Sequence, residues 1–348
     1  MSDPHVTQRK ADHIKINLEQ DVASRARSGF EAWRFEHNAL PELDLAEIDL
    51  GVTLFGHRLG APLLISSMTG GTEEALRINR HLAIAAEQAG LPIGLGSMRA
   101  AIARPHSAPT FQLRDVAPSI PIFANIGAVQ LVLGFGLDEC KRLVDLAGAN
   151  ALIVHLNPLQ EALQPEGDTN WKGVTAAIAS LCARLPVPVI AKEVGWGISA
   201  RVARALADAG VAAIDVAGAG GTSWSQVEMH RARNDVQRRV AAAFADWGMP
   251  TAESVAAARV GAPHLPIIAS GGIANGVDGA KSLALGASLF GLARPLLAAA
   301  TVSAEAVSAE IEVLLRQLRV TMQCTGSATV AALRDAALTR VAGSHWAG

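Results

Sequence analysis

From about Ala61 to Leu292 the chain repeats one pattern: a short apolar run ending in Gly, Ser, Asn or Lys, then an Ala-rich amphipathic stretch. The apolar runs are Pro62–Ser67, Pro92–Ser97, Ile120–Asn125, Ala151–Asn157, Val187–Glu193, Ala212–Ala217, Pro266–Ser270 and Ala287–Leu292. They are apolar almost throughout rather than alternating, as expected of parallel strands covered by helices. Helices are predicted between them over Thr72–Ala89, Asp138–Ala147, Gly173–Ala183, Ser199–Ala209, Thr251–Val260 and Gly276–Leu285. Ser199 and the Pro250-Thr251 step read as helix starts. Gly90, Gly148, Gly210 and Gly286 stand where a helix end wants a left-handed residue. Such alternation gives either an open doubly wound sheet or a closed barrel. Regular spacing of eight runs favours closure, and no GxGxxG follows the first of them. The fold class is therefore α/β, a (β/α)8 TIM barrel over residues 61–318, with an N-terminal arm (1–60) and a C-terminal helical extension (319–348). The arm reads as a charged helix over Asp12–Ser28, then Pro41, then a hairpin around Gly51–Gly60. Ile311, Leu314, Leu315 and Leu318 have helical spacing and predict a late helix.

A barrel with extensions fits the length of 348 residues, and 50% hydrophobic residues supply a large core. With 30 basic against 32 acidic residues the net charge is −2, so no global excess points to nucleic acid or an anionic membrane. Any hold on phosphate must come from local placement of charge. Met1–Lys15 has no apolar core of a signal peptide, and Leu283–Val302 is broken by Arg294-Pro295. The expectation is a soluble cytoplasmic protein. Cys140, Cys182 and Cys324 are far apart and unpaired in sequence, which predicts three buried thiols.

In a (β/α)8 barrel the chemistry lies at the C-terminal ends of the strands. Here nearly every strand delivers a polar or glycine terminus to that rim: Ser66 to Gly71, Gly96 to Arg99, Asn125 to Ala128, His155 to Glu161, Lys192 to Gly195, Asp215 to Trp224, Ser270 to Gly272 and Gly291 to Arg294. Gly271-Gly272 after strand seven and Ala293-Arg294 after strand eight occupy the frequent phosphate position, and Thr222 in the loop after strand six can join them. Tight turns alone would also explain glycine pairs, but three clusters on adjacent loops favour a phosphate cradle. Lys192 points into the barrel mouth, to form a Schiff base, pair with phosphate, stabilise a reduced flavin, or simply bury an ion pair with Glu193 or Asp215. The Glu193 pairing fits poorly, because neighbouring strand residues point to opposite faces. Glu161, followed by Glu166 and Asp168, suits Mg2+ beside phosphate and equally suits a solvated acidic loop. Asn157 and Gln160 add neutral hydrogen-bonding groups, and position alone leaves His155 as either a ligand-facing donor or a satisfied core histidine. Arg9-Lys10 matters only if the arm folds over a barrel mouth.

The run Arg9-Lys10-Ala11-Asp12-His13, the segments Ser66–Gly71 and Gly94–Arg99, the stretch His155–Glu161 with Gln164–Asp168, Lys192–Gly195, Gly218–Trp224 and Ala269–Ile273 together resemble the type 2 isopentenyl-diphosphate isomerases, from about Arg9 to beyond Arg294. The glycine clusters are shared with other FMN barrels; the His155–Asp168 run and Arg9-Lys10 are much more specific. The resemblance implies interconversion of isopentenyl and dimethylallyl diphosphates, with FMN, Mg2+ and a reductant such as NADPH, and no net redox change. It assigns Met68, Thr69, Ser97, Asn125 and Lys192 to the flavin ring and ribityl chain, and Thr222, Gly271, Gly272, Ala293 and Arg294 to its phosphate end. Arg9, Lys10, Arg99, His155, Asn157 and Gln160 would grip the small diphosphate substrate, Glu161 would hold Mg2+, and Glu228 would assist His155 and Gln160 in proton movement. It also implies a homo-oligomer, tetramer or octamer. Arg294 departs from the small residue expected there. The rival readings are an FMN-dependent 2-hydroxy-acid oxidase, which needs a His-x-x-Arg that strand seven lacks, and a non-catalytic flavin-binding protein.

Overall fold

The computed structural model describes residues 4–341; the side chains of residues 4–11 and of Pro105 lie outside the description, and with them those of Arg9 and Lys10. The chain opens with helix α1 (Pro4–Glu19), strand β1 (Trp33–Phe35) and a hairpin of β2 (Val52–Leu54) and β3 (His57–Leu59). There follow β4 (Leu63–Ile65), α2 (Glu73–Ala89), β5 (Ile93–Gly94), α3 (Arg99–Ala103), β6 (Ile122–Gly127), α4 (Leu137–Ala147), β7 (Ala151–Leu156), α5 (Pro158–Leu163), α6 (Val174–Cys182), β8 (Val189–Glu193), α7 (Ala200–Asp208) and β9 (Ala213–Asp215). The rest is α8 (Trp224–Arg231), α9 (Asp235–Ala242), α10 (Thr251–Gly261), β10 (Ile267–Ser270), α11 (Gly276–Ala284), β11 (Leu289–Leu292), α12 (Arg294–Val302), α13 (Ala304–Cys324), α14 (Val330–Arg334) and β12 (Leu338–Arg340).

Strands β4 to β11 form a closed parallel barrel in which each strand neighbours its successor, and β11 closes on β4 with Gly291 opposite Leu64. All eight predicted runs therefore lie on barrel strands. Local chemistry sets the helix limits. Thr72 caps α2 by accepting from the Ala75 N–H, with Glu73 and Glu74 in the first turn, and Ser199 caps α7 in the same way. Gly90 ends α2 at φ 64°, where a side chain would be strained.

Period-two alternation sorts the strand residues into layers. Leu63 and Ile65, Leu152 and Val154 join the cluster between strands and helices. Leu64, Phe123, Ile153, Ile190, Ala213, Ile268 and Leu289 point inward and form an apolar floor inside the barrel. The β2–β3 hairpin plugs the barrel beneath them: Leu54 and Leu59 join the floor, and Phe55 meets Phe123 edge-on with ring centroids 6.4 Å apart. Two residues further along each strand, the same inward direction presents Ser66, Asn125, His155, Lys192, Asp215, Ser270 and Gly291. The polar layer of the site thus stands directly on the apolar one.

Two expectations need correction, the bounds of the arm helix and the burial of the cysteines. The charged helix in the arm is α1 and ends at Glu19 rather than Ser28. The chain beyond it leaves the helix because its backbone groups pair elsewhere: Ser24 N–H donates to Gly221 O, and Val22 O accepts from Ser223 N–H. The late helix predicted from the apolar spacing is α13, which ends at Cys324 and buries Ile311, Leu314 and Leu318, as expected. Of the three cysteines only Cys140 is buried; Cys182 and Cys324 are half-buried, and all three are free. Burial pushes the Cys140 thiol up to about 12. Helices α8 and α9 and the pairing of β1 with β12 were not foreseen. No helix among the described residues is long and apolar enough to cross a membrane.

Candidate active site

Above the polar layer lies a cavity of about 690 Å3 at the C-terminal ends of the strands. It is roofed on one side by the arm of the same chain, through His13, Ile14 and Asn17 of α1 and through Ala23. The volume is that of a typical small-molecule or cofactor site. Every residue assigned to flavin borders it: Met68, Thr69, Ser97, Asn125, Lys192, Thr222, Gly271, Gly272, Ala293 and Arg294. Arg99, His155, Asn157, Gln160 and Glu161 border it too. Glu228 does not, but its carboxylate touches residues that do.

One end is made of backbone. Gly271 has φ 98°, and a Cβ there would lie 2.1 Å from the carbonyl oxygen of Gly218. The loops after β9 and β10 therefore pack backbone against backbone, which leaves room for an anion to approach their N–H groups. Helix α12 starts at Arg294 with Pro295 in its first turn, and Arg294, Pro295 and Leu297 all face the cavity. Its N-terminus adds a favourable dipole for phosphate. Together with the polar layer, this cradle fits FMN.

In the polar layer, Asn125 donates to Ser67 Oγ at 3.0 Å and to Leu95 O at 2.9 Å, and its Oδ1 lies 2.7 Å from His155 Nδ1. His155 is therefore both held by Asn125 and open to the cavity. Lys192 Nζ donates to Glu193 O at 3.0 Å and lies 3.4 Å from Asp215 Oδ2. The buried ion pair is thus with Asp215, while the lysine still borders the cavity.

Glu193, the next residue, points away from the barrel axis. Its Oε2 accepts three backbone N–H groups, from Val194, Gly195 and Trp196, and so fixes the loop whose Val194 and Gly195 border the cavity. Burial nevertheless dominates and pushes its carboxyl up to about 7 from the ordinary 4.5. Below pH 4.5 the group is protonated in both folded and unfolded chains. Between 4.5 and about 7 the unfolded chain ionises first, so this carboxyl's contribution to stability falls as pH rises and is lost above about 7. Glu193→Gln is expected to flatten the fall in urea midpoint across that window relative to the unaltered protein; identical slopes in the two would refute this role.

The other end is a chain of amides and carboxylates. Asn157 donates through Nδ2 to Gln160 Oε1 at 3.2 Å and to Glu161 Oε1 at 2.9 Å. Glu161 Oε2 accepts the Asp168 N–H at 2.7 Å, and the Asp168 carboxylate accepts from Arg99 and from Gln130, both at 2.9 Å. Gln160 Nε2 donates to Glu228 Oε1 at 3.3 Å, which also lies 3.2 Å from His13 Nε2. Arg231 Nη1 reaches Glu228 Oε2 at 2.5 Å, and its Nη2 reaches Glu166 at 2.8 Å. Burial works against charge on Glu228, but the hydrogen bonds and charges of His13 and Arg231 outweigh it and hold the carboxyl below its ordinary value. No group of three or more His, Cys, Asp or Glu among the described residues can by itself surround a metal. Glu161 offers one carboxylate, which fits Mg2+ sharing a substrate's phosphate oxygens.

The family model described as FMN-dependent dehydrogenase matches residues 5–113 and 155–340. The isopentenyl-diphosphate delta-isomerase of a Nostoc species is 54% identical over 335 residues, 96% of each chain. That of Stutzerimonas stutzeri is 56% identical over 340 residues, 97% of this chain and 98% of its own. The chain belongs to the FMN-dependent dehydrogenase family and, within it, to the type 2 isopentenyl-diphosphate delta-isomerases. Solved structures similar in fold are far more distant in sequence. A lactate oxidase structure from Pediococcus acidilactici has a TM-score of 0.68 at 17% identity, covering 98% of this chain and 96% of that one. A mandelate oxidase variant has 0.64 at 21% identity, covering 96% and 99%. They share the barrel with this isomerase family member and show nothing beyond fold.

Sequence reasoning missed the parts of the site that arrive from elsewhere in the chain. Asn17 and Ile14 gave no signal beyond helical spacing, and His13 stood in a quoted motif without a role. Gln130 was findable, because it follows the Gly127 terminus of β6 on the rim already identified.

Proposed function

We propose that the protein interconverts isopentenyl and dimethylallyl diphosphates, with FMN in the cavity, Mg2+ at Glu161 and NADPH supplying the electrons that keep the flavin reduced. The observation that carries this reading is the identity above 50% over nearly the whole chain with proteins of that name, joined to one cavity that holds both the glycine cradle and the Asn157–Glu161 amide and carboxylate chain. Moving the double bond adds one proton at the terminal carbon and removes one from the neighbouring CH2, so atoms and electrons balance without net redox change. Reduced FMN supplies an electron-rich face and an acid–base centre for those transfers.

The chain's own residues do the rest. Arg99, with Arg9 and Lys10 of the arm, supplies counter-charge for the diphosphate, and Glu161 shares Mg2+ with its oxygens. Asn157 fixes both Gln160 and Glu161, so the metal and the reacting carbons are held in one frame. Gln160 and His155 face the substrate, and Glu228 assists proton movement by holding the Gln160 amide as an ionised acceptor. The arm roofs one side of the cavity and there shields a cation-like transition state from water. The reading includes a cytoplasmic homo-oligomer, tetramer or octamer.

The rival is hydroxy-acid oxidation, which the fold relatives carry by name. It needs a base and an arginine clamp after β10, where this chain has Ser270-Gly271-Gly272. Anaerobic assay with reduced FMN, Mg2+ and isopentenyl diphosphate is expected to give dimethylallyl diphosphate, while lactate and mandelate give no flavin reduction. Reduction by a hydroxy acid without isomerisation would replace this reading with the rival, and tight flavin binding with turnover of neither would leave a flavin-binding protein.

A further inference from the structure

Asp215 ends β9 in the polar layer and is completely buried. It does not border the cavity; it lies behind Lys192, which does. Its Oδ1 accepts from Ser270 Oγ at 2.6 Å and from the Ala217 N–H at 3.3 Å. Its Oδ2 lies 3.4 Å from Lys192 Nζ, and Ser270 Oγ lies 3.5 Å from the same nitrogen. Three strands, β8, β9 and β10, thus meet in one buried Lys–Asp–Ser cluster.

Stability does not explain the cluster. Apolar residues of similar volume pack a barrel layer at least as well as a buried ion pair, whose desolvation offsets most of its attraction. What the pair does supply is a lysine of fixed position whose charge is partly cancelled from behind. We propose that Asp215 is a positioning residue which aims Lys192 at the cavity and sets how strongly the site stabilises the negative charge of reduced FMN. The proposal rests on FMN being the bound cofactor. With Asp215 and Lys192 both buried, a carboxylate this close to a cation alters the potential felt by any group in front of it.

The sign follows directly. Removing the Asp215 charge leaves Lys192 uncompensated, so the negative form of the reduced flavin becomes easier to reach. In FMN-loaded Asp215→Asn the midpoint potential is expected to move positive, and the pH at which the bound reduced flavin ionises to fall by about one to two units. Ser270→Ala keeps both charges but frees the carboxylate that the hydroxyl orients. It is expected to shift both readouts by a smaller amount, and it keeps the proposal testable if Asp215→Asn does not fold. Anaerobic spectroelectrochemistry across pH, on protein loaded with FMN, reads both quantities without reference to turnover. Variants that bind FMN, lose only stability and leave potential and ionisation unchanged would overturn the proposal while leaving FMN as the cofactor. Failure of the unaltered protein to bind FMN would instead remove the cofactor reading and this proposal with it.

Discussion

In D2O, the protein carrying reduced FMN and Mg2+ is expected to convert isopentenyl diphosphate to deuterium-bearing dimethylallyl diphosphate, and Glu161→Ala to lower that rate on the order of a hundredfold or more. In the proposed reading Glu161 is the carboxylate through which the chain would reach the metal, and it is held from both sides, by Asn157 Nδ2 on Oε1 and by the Asp168 N–H on Oε2. Each oxygen keeps a lone pair free for a cation. Without the carboxylate, a Mg2+ bound to the diphosphate would lose its tether, and the diphosphate would keep only arginine and lysine charge. The alkene then drifts from its proper place, and misplacement of that kind weighs on kcat as well as KM. Asn157 and Asp168 are not among the residues assigned to flavin, so FMN affinity is expected to stay within about twofold, well under the factor of ten that 1.4 kcal/mol represents. NMR of the product and a Mg2+ titration of the rate check both parts. An Ala variant with unaltered rate and Mg2+ dependence would remove Glu161 from the metal site.

The largest expected effect on folding belongs to Lys192→Met. Asp215 is fully buried, and its partners besides Lys192 are the Ser270 hydroxyl and the Ala217 N–H. Taking the ammonium away strands a carboxylate in the barrel interior, which costs about 3–5 kcal/mol when one member of a buried pair is removed. The Met stem fills most of the lost volume, so the loss is electrostatic rather than a cavity. The double change Lys192→Met with Asp215→Leu is expected to recover much of it, because it removes both charges. Urea denaturation of the single and double variants measures the coupling directly. A single variant as stable as the unaltered protein would mean that Asp215 carries no charge in need of a partner. Both variants are expected to bind FMN more weakly, since each lacks the Lys192 cation, which borders the cavity beside the polar layer.

Much of this was written locally. The apolar runs located all eight strands, although β5 is only Ile93–Gly94 where Pro92–Ser97 was expected. The run nevertheless stays against β6, since Leu95 N–H donates to Phe123 O and Met98 N–H to Asn125 O, and glycine at 96 lets the loop after β4 close in: a Cβ there would lie 2.4 Å from the Thr69 carbonyl oxygen. The rim residues Asn125, His155 and Lys192 were legible for a simple reason. A strand's period of two places them directly above Phe123, Ile153 and Ile190, so the apolar pattern indicates which polar residue faces the axis. The resemblance then supplied the roles that spacing alone left open, for Glu161 and Lys192 above all.

What the sequence by itself determined is the alternation of strand and helix, the rim on which chemistry sits, and the list of polar groups delivered to it. These depend on contacts within a few residues, where side-chain periodicity and capping chemistry act. The tertiary structure alone decided that α1 lies over its own barrel, bringing His13 to Glu228 across 215 positions of sequence, and that Lys192 pairs with Asp215 rather than Glu193. It also decided that the Gly51–Gly60 hairpin plugs the floor beneath Phe123. Such pairings join segments whose local patterns are complete without one another. Barrel closure alone brings them together, because only then do the buried charges and bare backbone groups of one segment find their partners on another.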